Sequence, residues 1–179
     1  MTAVHGYSAY MQWEQEQLKA EWFMTLMREL FPRYDVELCH DPAMQKMGVD
    51  LLIKPMPEML ELIPPWDRKE TRIDAKFRRK HYEDFIVELR HLGPTVNMEG
   101  WGLRGLAVNY LAYTSVERQE IVLIDWPKWW GWWLRERHRL AQQYPIKEAV
   151  NQTYRTAFVT LPWAEFEAEV PLRYARTNG

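Results

Sequence analysis

A single cysteine, Cys39, stands in the 179-residue chain, so an intrachain disulfide is impossible and the thiolates of a finger-type zinc site are missing. No apolar run reaches the roughly 18 residues that a membrane-crossing helix needs. The N-terminus lacks a basic segment followed by an apolar stretch, which is the mark of a secretory leader. Together these absences set a cytoplasmic protein as the expectation. Excess charge of one sign is missing too. A formal net charge of −2 excludes coating nucleic acid by bulk electrostatics, so any phosphate contact must be local. The five histidines form no close pair at metal-ligand spacing. No serine or cysteine nucleophile accompanies His40, His81 or His138 in a recognisable order, and all three read as structural or surface residues. Internal repeats and low-complexity tracts are absent.

What is present suits one globular domain spanning residues 1–179. Hydrophobic residues make up 47%, aromatics 14% and charged residues 27% of the chain, enough for a core and a charged surface. From Ser8 to Phe31 there is no proline or glycine and helix formers dominate, which predicts one long helix closed by Pro32. Leu18, Trp22, Phe23, Leu26, Met27 and Leu30 share one arc of it, and Glu14, Glu21, Thr25 and Arg28 the other. Residues 33–39 alternate as a half-buried strand, with Cys39 packed at its end. A short apolar strand over 49–53 carries one charge, Asp50. After the prolines at 55, 57, 64 and 65, a strand beginning near Thr71 places Ile73, Ala75 and Phe77 on one face and Asp74, Lys76 and Arg78 on the other.

A strand from Asp84 to Arg90 is expected to pair with it. A glycine-rich loop holding Trp101 then leads to a short helix over 106–113, a buried strand over 119–125 and a helix from Pro127 to about Gln142. A last strand over 153–161 precedes a helical turn at Pro162-Trp163 and a polar tail. This order is that of a mixed α/β protein.

Phosphodiester hydrolysis near neutral pH needs a stronger nucleophile than bulk water and positive charge opposite the phosphate, and divalent metal ions supply both. Mg²⁺ is held by carboxylates converging at a sheet edge, and a neighbouring lysine orients the attacking water or offsets developing charge. Asp74 and Lys76 sit on one strand face about 7 Å apart by strand rise, and a neighbouring strand would bring Asp50 alongside.

In these residues the chain resembles the PD-(D/E)xK nuclease superfamily, the fold of many restriction endonucleases, Holliday-junction resolvases and phage exonucleases. The matching residues are Gly48-Val49-Asp50, Asp74-Ala75-Lys76 and the preceding glutamate-bearing helix, over about residues 12–91. The resemblance implies a restriction-endonuclease-like mixed central sheet flanked by helices. It also implies Mg²⁺- or Mn²⁺-dependent cleavage of DNA, as by a junction resolvase or a phage or mobile-element nuclease, with Asp50 and Asp74 as metal ligands and Lys76 as catalytic lysine. A helix glutamate would complete the site, for which Glu21 is chosen ahead of Glu16 and Glu14. A second triplet of the same spacing, Asp67-Arg68-Lys69, follows Pro64-Pro65 without apolar alternation and reads as a loop.

Several features keep two readings. Arg68, Lys69, Arg72, Lys76, Arg78, Arg79 and Lys80 fall within thirteen positions, as a phosphate-facing patch or as a solvated strand edge. Of these, Arg72, Arg78, Arg79 and Lys80 are the candidate DNA contacts, together with Trp101 as a loop wedge; the alternative for Trp101 is a core cap. Glu88, in an apolar run, is a fourth acidic ligand, a bridge to Lys76 or Arg78, or a solvent-facing strand residue. Trp129-Trp130-Gly131-Trp132-Trp133 points tryptophans all around a helix. Two or three are assigned to the core and the rest to a partner surface such as a second copy in a homodimer, with a base-stacking platform as the alternative. The overall alternative is a catalytically silent protein of nuclease fold that binds nucleic acid or a protein partner.

Overall fold

The computed structural model describes residues 5–81, 83–94, 97–150 and 154–177, of which 5–11 are described by backbone alone. The chain forms two compact units, one from Met1–Glu14, Tyr82–Gly105 and Lys128–Val170, the other from Gln15–His81, Leu106–Pro127 and Pro171–Gly179.

The second of these holds a mixed six-stranded sheet. Its strands are β1 (Tyr34–Leu38), β2 (Leu51–Pro55), β3 (Thr71–Arg78), β6 (Tyr110–Ser115), β7 (Glu120–Asp125) and β10 (Leu172–Arg176), and they lie side by side in that order. Every neighbouring pair is antiparallel except β3 and β6, which run parallel with Asp74 beside Leu111 and Lys76 beside Tyr113. The mixed α/β class expected from element order is therefore present.

The long N-terminal helix is in fact two, α1 (His5–Leu18) and α2 (Glu21–Leu30), separated at Ala20, whose backbone is extended with φ −63° and ψ 132°. No proline or glycine marks that break. Helix propensity is a weak constraint that packing overrides, and the break leaves Leu18 buried in α1 and Phe23, Leu26 and Met27 buried in α2. Each of these side chains contributes about 1.5–3 kcal/mol by leaving water. Phe23 meets Phe77 of β3 edge-on at 5.0 Å, so α2 covers the face of β3 that carries Ile73, Ala75 and Phe77.

Residues 106–113 do not form a helix, since β6 occupies the end of that segment. Its residues Leu111, Ala112, Tyr113 and Thr114 are all buried, as in a central strand covered on both faces, and such a run lacks the two-residue alternation that would have revealed it. The polar tail contributes β10, an edge strand held to β7 and tied by Arg173 Nη1 donating to the Leu30 carbonyl at 3.1 Å.

The other unit contains a four-stranded antiparallel sheet ordered β5 (Asn97–Glu99), β4 (Asp84–Leu92), β9 (Arg155–Pro162) and β8 (Lys147–Val150). β4 thus pairs with β5 and β9 rather than with β3, whose two sides are already taken by β2 and β6. Most of α5 (Trp126–Gln143) and the short α4 (Trp101–Arg104) belong here.

Of the four tryptophans at 129–133, three are core, in line with the two or three expected, and Trp130 is half-buried. Trp129, Trp132 and Trp133 are all buried; Trp129 stacks on Trp133 at 5.7 Å, and Phe85 sits edge-on to Trp101 and Trp129 at 5.6 and 5.3 Å. The indole N–H of Trp133 donates to the Gly102 carbonyl at 2.7 Å. Such ring pairs add about 0.5–1.5 kcal/mol each beyond burial. Trp101, only 3% exposed, is a member of this cluster and not a loop wedge.

The glycines around Trp101 are dictated by close approach. A Cβ on Gly100 would lie 2.3 Å from the Glu88 carbonyl oxygen, and one on Gly102 2.3 Å from Val87 Cγ1. They press against β4 where its pairing with β9 slips between Glu88 and Arg90. Gly100→Ala is therefore expected to cost about 1–3 kcal/mol of stability. Urea unfolding followed by circular dichroism measures it, and an unchanged midpoint would refute the tight contact.

Candidate functional site

Because Ile73, Ala75 and Phe77 face α2, strand alternation turns Asp74, Lys76 and Arg78 to the opposite face of β3. Asp50 reaches this face by register. β2 pairs with β3 so that Leu51 lies opposite Ile73, and the Asp50 N–H continues the ladder by donating to the Ile73 carbonyl at 2.8 Å. The Asp50 carbonyl accepts from the Cys39 N–H at 2.8 Å, which fixes its backbone from the other side.

Beyond Asp50 the ladder stops, because the chain turns away at Gly48 with φ +87°, a conformation open to glycine. A Cβ there would also sit 2.9 Å from Leu106 Cδ2 and 3.8 Å from Asp74 Cγ. The turn is held by α3 (Pro42–Lys46), capped by Asp41 Oδ1 accepting from the Ala43 N–H at 2.8 Å, and by Gln45 Nε2 donating to the Cys39 carbonyl at 2.7 Å. With the strand gone, the Ala75 N–H has no carbonyl opposite it. It donates instead to Asp50 Oδ2 at 2.8 Å. The Gly48-Val49-Asp50 sequence thus leads into β2 and turns its aspartate onto β3.

Asp74 is 1% exposed, and its Oδ1 accepts from Lys76 Nζ at 2.9 Å. Its Oδ2 is buried and has no hydrogen-bond donor while both carboxyl groups are ionised. The Asp50 carboxyl lies within hydrogen-bonding reach of Asp74. Two ionised carboxylates cannot donate to each other, so this contact holds only while a proton lies between them. Burial above all, and then the negative charge of Asp74, push the Asp50 carboxyl up to about 8, against the pull of Lys76 and the Ala75 N–H. At neutral pH the metal-free pair keeps one proton, which belongs to the pair.

The structure thus brings Asp50, Asp74 and Lys76 together. It leaves Glu21 out: the first residue of α2, it is exposed on a helix that packs against the opposite face of β3. Among the described residues there is no cluster of three or more His, Cys, Asp or Glu side chains able to hold a metal, so neither Glu21 nor the exposed Glu16 adds a third carboxylate to Asp50 and Asp74. Glu14 belongs to the other unit, as does Glu88 on β4, whose carboxylate stands 3.8 Å from His91 Nε2. Asp67 to Lys69 lie in and after an exposed 3₁₀ turn, with Arg68 Nε donating to the Ile63 carbonyl at 2.9 Å, in keeping with a loop.

Among the basic candidates, Arg72 pairs with Glu70 at 3.5 Å, while Arg79 and Lys80 are exposed just past the end of β3. Arg78 is half-buried and donates from Nε to the Tyr113 hydroxyl at 3.2 Å, its guanidinium 5.4 Å from the ring centre. Tyr113 carries no signal in the sequence, since its place beside Lys76 depends on β6 pairing parallel with β3.

Among the described residues, two carboxyl groups and no third are on offer to a cation here. Mg²⁺ binds oxygen ligands, keeps several waters and commonly uses only one or two protein carboxylates. Asp74 Oδ2, buried without a donor, and Asp50, which keeps a small exposed fraction, supply that number. No family model, no curated protein and no solved structure matches this chain.

The shared proton makes stability depend on pH. Asp50 titrates at about 8 in the folded chain against an ordinary 3.8 for a solvated aspartate, so between these limits the native state holds a proton that the unfolded chain has released. Stability then falls as pH rises through that window and levels off above it. In metal-free buffer the unfolding temperature is expected to drop from about pH 5 to about pH 8. Asp50→Asn keeps an acceptor for Ala75 and gains a donor for Asp74, so it should flatten that slope and raise the alkaline midpoint. An unchanged slope in this variant would place the proton elsewhere.

Proposed function

We propose that the chain is a divalent-metal-dependent deoxyribonuclease that hydrolyses phosphodiester bonds with Asp50, Asp74 and Lys76. One observation carries this reading: two carboxyl groups and a lysine, twenty-four positions apart in sequence at their carboxylates, meet on one strand face with an acceptor oxygen left over. Structural ion pairs are ordinarily built to satisfy every buried oxygen, whereas a binding site leaves one for its ligand. The resemblance to PD-(D/E)xK nucleases supports DNA as the substrate.

Asp50 and Asp74 would hold Mg²⁺ or Mn²⁺, which when bound supplies positive charge opposite the phosphate and a more acidic water. The chain's own groups do the rest. Asp74 would divide its labour, with Oδ1 anchoring Lys76 and Oδ2 left to hold the ion. Held in this way, the Lys76 ammonium is placed to offset charge growing on the phosphate. Hydrolysis consumes one water: its oxygen bonds phosphorus, one ester P–O bond breaks, and a proton ends on the departing oxygen. The products are a phosphomonoester and a free hydroxyl.

A second reading has its own observation. Lys76 already neutralises Asp74 at 2.9 Å and, among the described residues, no third carboxylate joins the pair, as in a silent nuclease fold that binds nucleic acid or a protein. Metal binding separates the two readings. Saturable Mn²⁺ binding lost in Asp50→Ala favours the enzyme, and no binding by the wild type favours the silent protein.

For the enzyme, Asp74→Asn is expected to abolish Mg²⁺-dependent cleavage of DNA with the fold intact. Lys76→Ala should slow cleavage about a hundredfold or more while Mn²⁺ still binds. Full activity in purified Asp74→Asn would overturn the assignment.

A further inference from the structure

We propose that two copies of this chain pair through the loop between β2 and β3, each laying Trp66 on the Pro64-Pro65 rings of the other. Trp66 is 73% exposed and Leu62 66%, and Leu60, Pro64 and Pro65 are exposed beside them in sequence. One apolar side chain in water needs no explanation, whereas several gathered in one loop mark a surface that meets another macromolecule. The loop is also firmly built. Ile63 is buried and anchors it, its N–H donating to the Met59 carbonyl at 3.1 Å and its carbonyl accepting from Arg68 Nε at 2.9 Å. The N–H groups of Asp67 and Arg68 close the 3₁₀ turn that follows, donating to the carbonyls of Pro64 and Pro65 at 2.9 and 3.4 Å. A tryptophan held out by a fixed backbone loses little freedom on contact, which suits it as an anchor.

What the loop carries beside its tryptophan identifies the occupant. Pro64, at φ −54° and ψ 142°, has the polyproline conformation, and proline rings set out in that way are received on aromatic faces. One turn thus holds both halves of a recognition pair. Two copies related by a twofold axis satisfy both at once, since each contact made by one copy is returned by the other. The charges match themselves in the same way. Asp67 and Lys69 are exposed and of opposite sign, whereas Glu70 is taken up by Arg72 at 3.5 Å. The twofold axis sets the acid of each copy against the lysine of the other.

The exposed Glu58 and Glu61 add negative charge that turns away a phosphate-bearing partner and keeps the pairing of like copies weak. Two aromatic side chains at about 150–250 Å² each, with the leucines and prolines of both copies, bring the buried area to the order of 1,000 Å², the low end for a specific pairing. The proposal stands apart from the nuclease reading, because none of these residues belongs to the group of Asp50, Asp74 and Lys76.

Sedimentation equilibrium of the full chain, from micromolar to millimolar concentration, tests it. The wild type should pass from monomer to dimer. Trp66→Ala should weaken the dimer about thirtyfold or more, and Leu62→Ser should weaken it in the same direction away from the turn. Asp67→Lys and Lys69→Asp should each weaken it about threefold to tenfold, and the two together should restore it, which a merely structural role for either residue would not do. A wild type that stays monomeric throughout overturns the proposal. So does a dimer that both Trp66→Ala and Leu62→Ser leave unchanged, or one that the paired charge exchange fails to restore. Duplex DNA bound by a monomeric wild type and released by Trp66→Ala would give the loop to nucleic acid instead. Circular dichroism of each variant separates these outcomes from a failure to fold.

Discussion

Asp50 and Asp74 face each other across an antiparallel strand pair, largely out of water, where two negative charges cannot both persist without something between them. The rest of the six-stranded sheet unit answers to that constraint. The β2–β3 register sets the two residues opposite each other, the Gly48 turn frees the Ala75 N–H for Asp50, and Lys76 takes one oxygen of Asp74. α2 closes the other face of β3 with Phe23 and so leaves the charged face to the site. A proton relieves the repulsion in the metal-free chain, and a divalent cation would relieve it by charge. Burial of this pair opposes ionisation of Asp50, and that opposition is felt as a stability that depends on pH.

The sequence made the β3 site legible because its alternation was complete. Ile73, Ala75 and Phe77 against Asp74, Lys76 and Arg78 specify a strand and its two faces without help from any other element. Asp50 was legible as a lone charge in an apolar strand. Glu21 falls outside the pair for a reason that alternation also contains: a helix packing on Phe77 cannot reach the residue that points the other way. That inference needed to know which face α2 covers, and amphipathicity tells which side of a helix is buried but not against what. β6 is hidden from the sequence because burial on both faces erases the periodic signal, and Tyr113 is hidden with it.

The tryptophan-rich helix taught a different lesson about apolar residues that point all around. Its buried residues Trp126, Trp129, Trp132, Trp133 and Leu140 gather on one face, while Lys128, Leu134, Arg135 and Arg139 stay exposed on the other. Phe85, Trp101, Trp129, Trp132, Trp133 and Phe166 enclose one another, and the glycines at 100 and 102 let the chain approach β4 closely enough to complete the packing. The glycine pair flanking Trp101 reads in sequence as a flexible loop. In the fold it marks a place where backbone replaces side chain as the packing surface.

The parallel pairing of β3 with β6 has a consequence for the chain as an object. Parallel neighbours cannot be joined by a hairpin, and the connection here carries β4, β5 and α4, all of which belong to the other unit. Each unit is assembled from three separated stretches of sequence, with both α1 and α5 running from one into the other. No single cut in the backbone yields either unit whole. During synthesis β3 emerges with its parallel neighbour still unmade, so the strand carrying Asp74 and Lys76 must wait for residues 79–109 before its sheet can close around it.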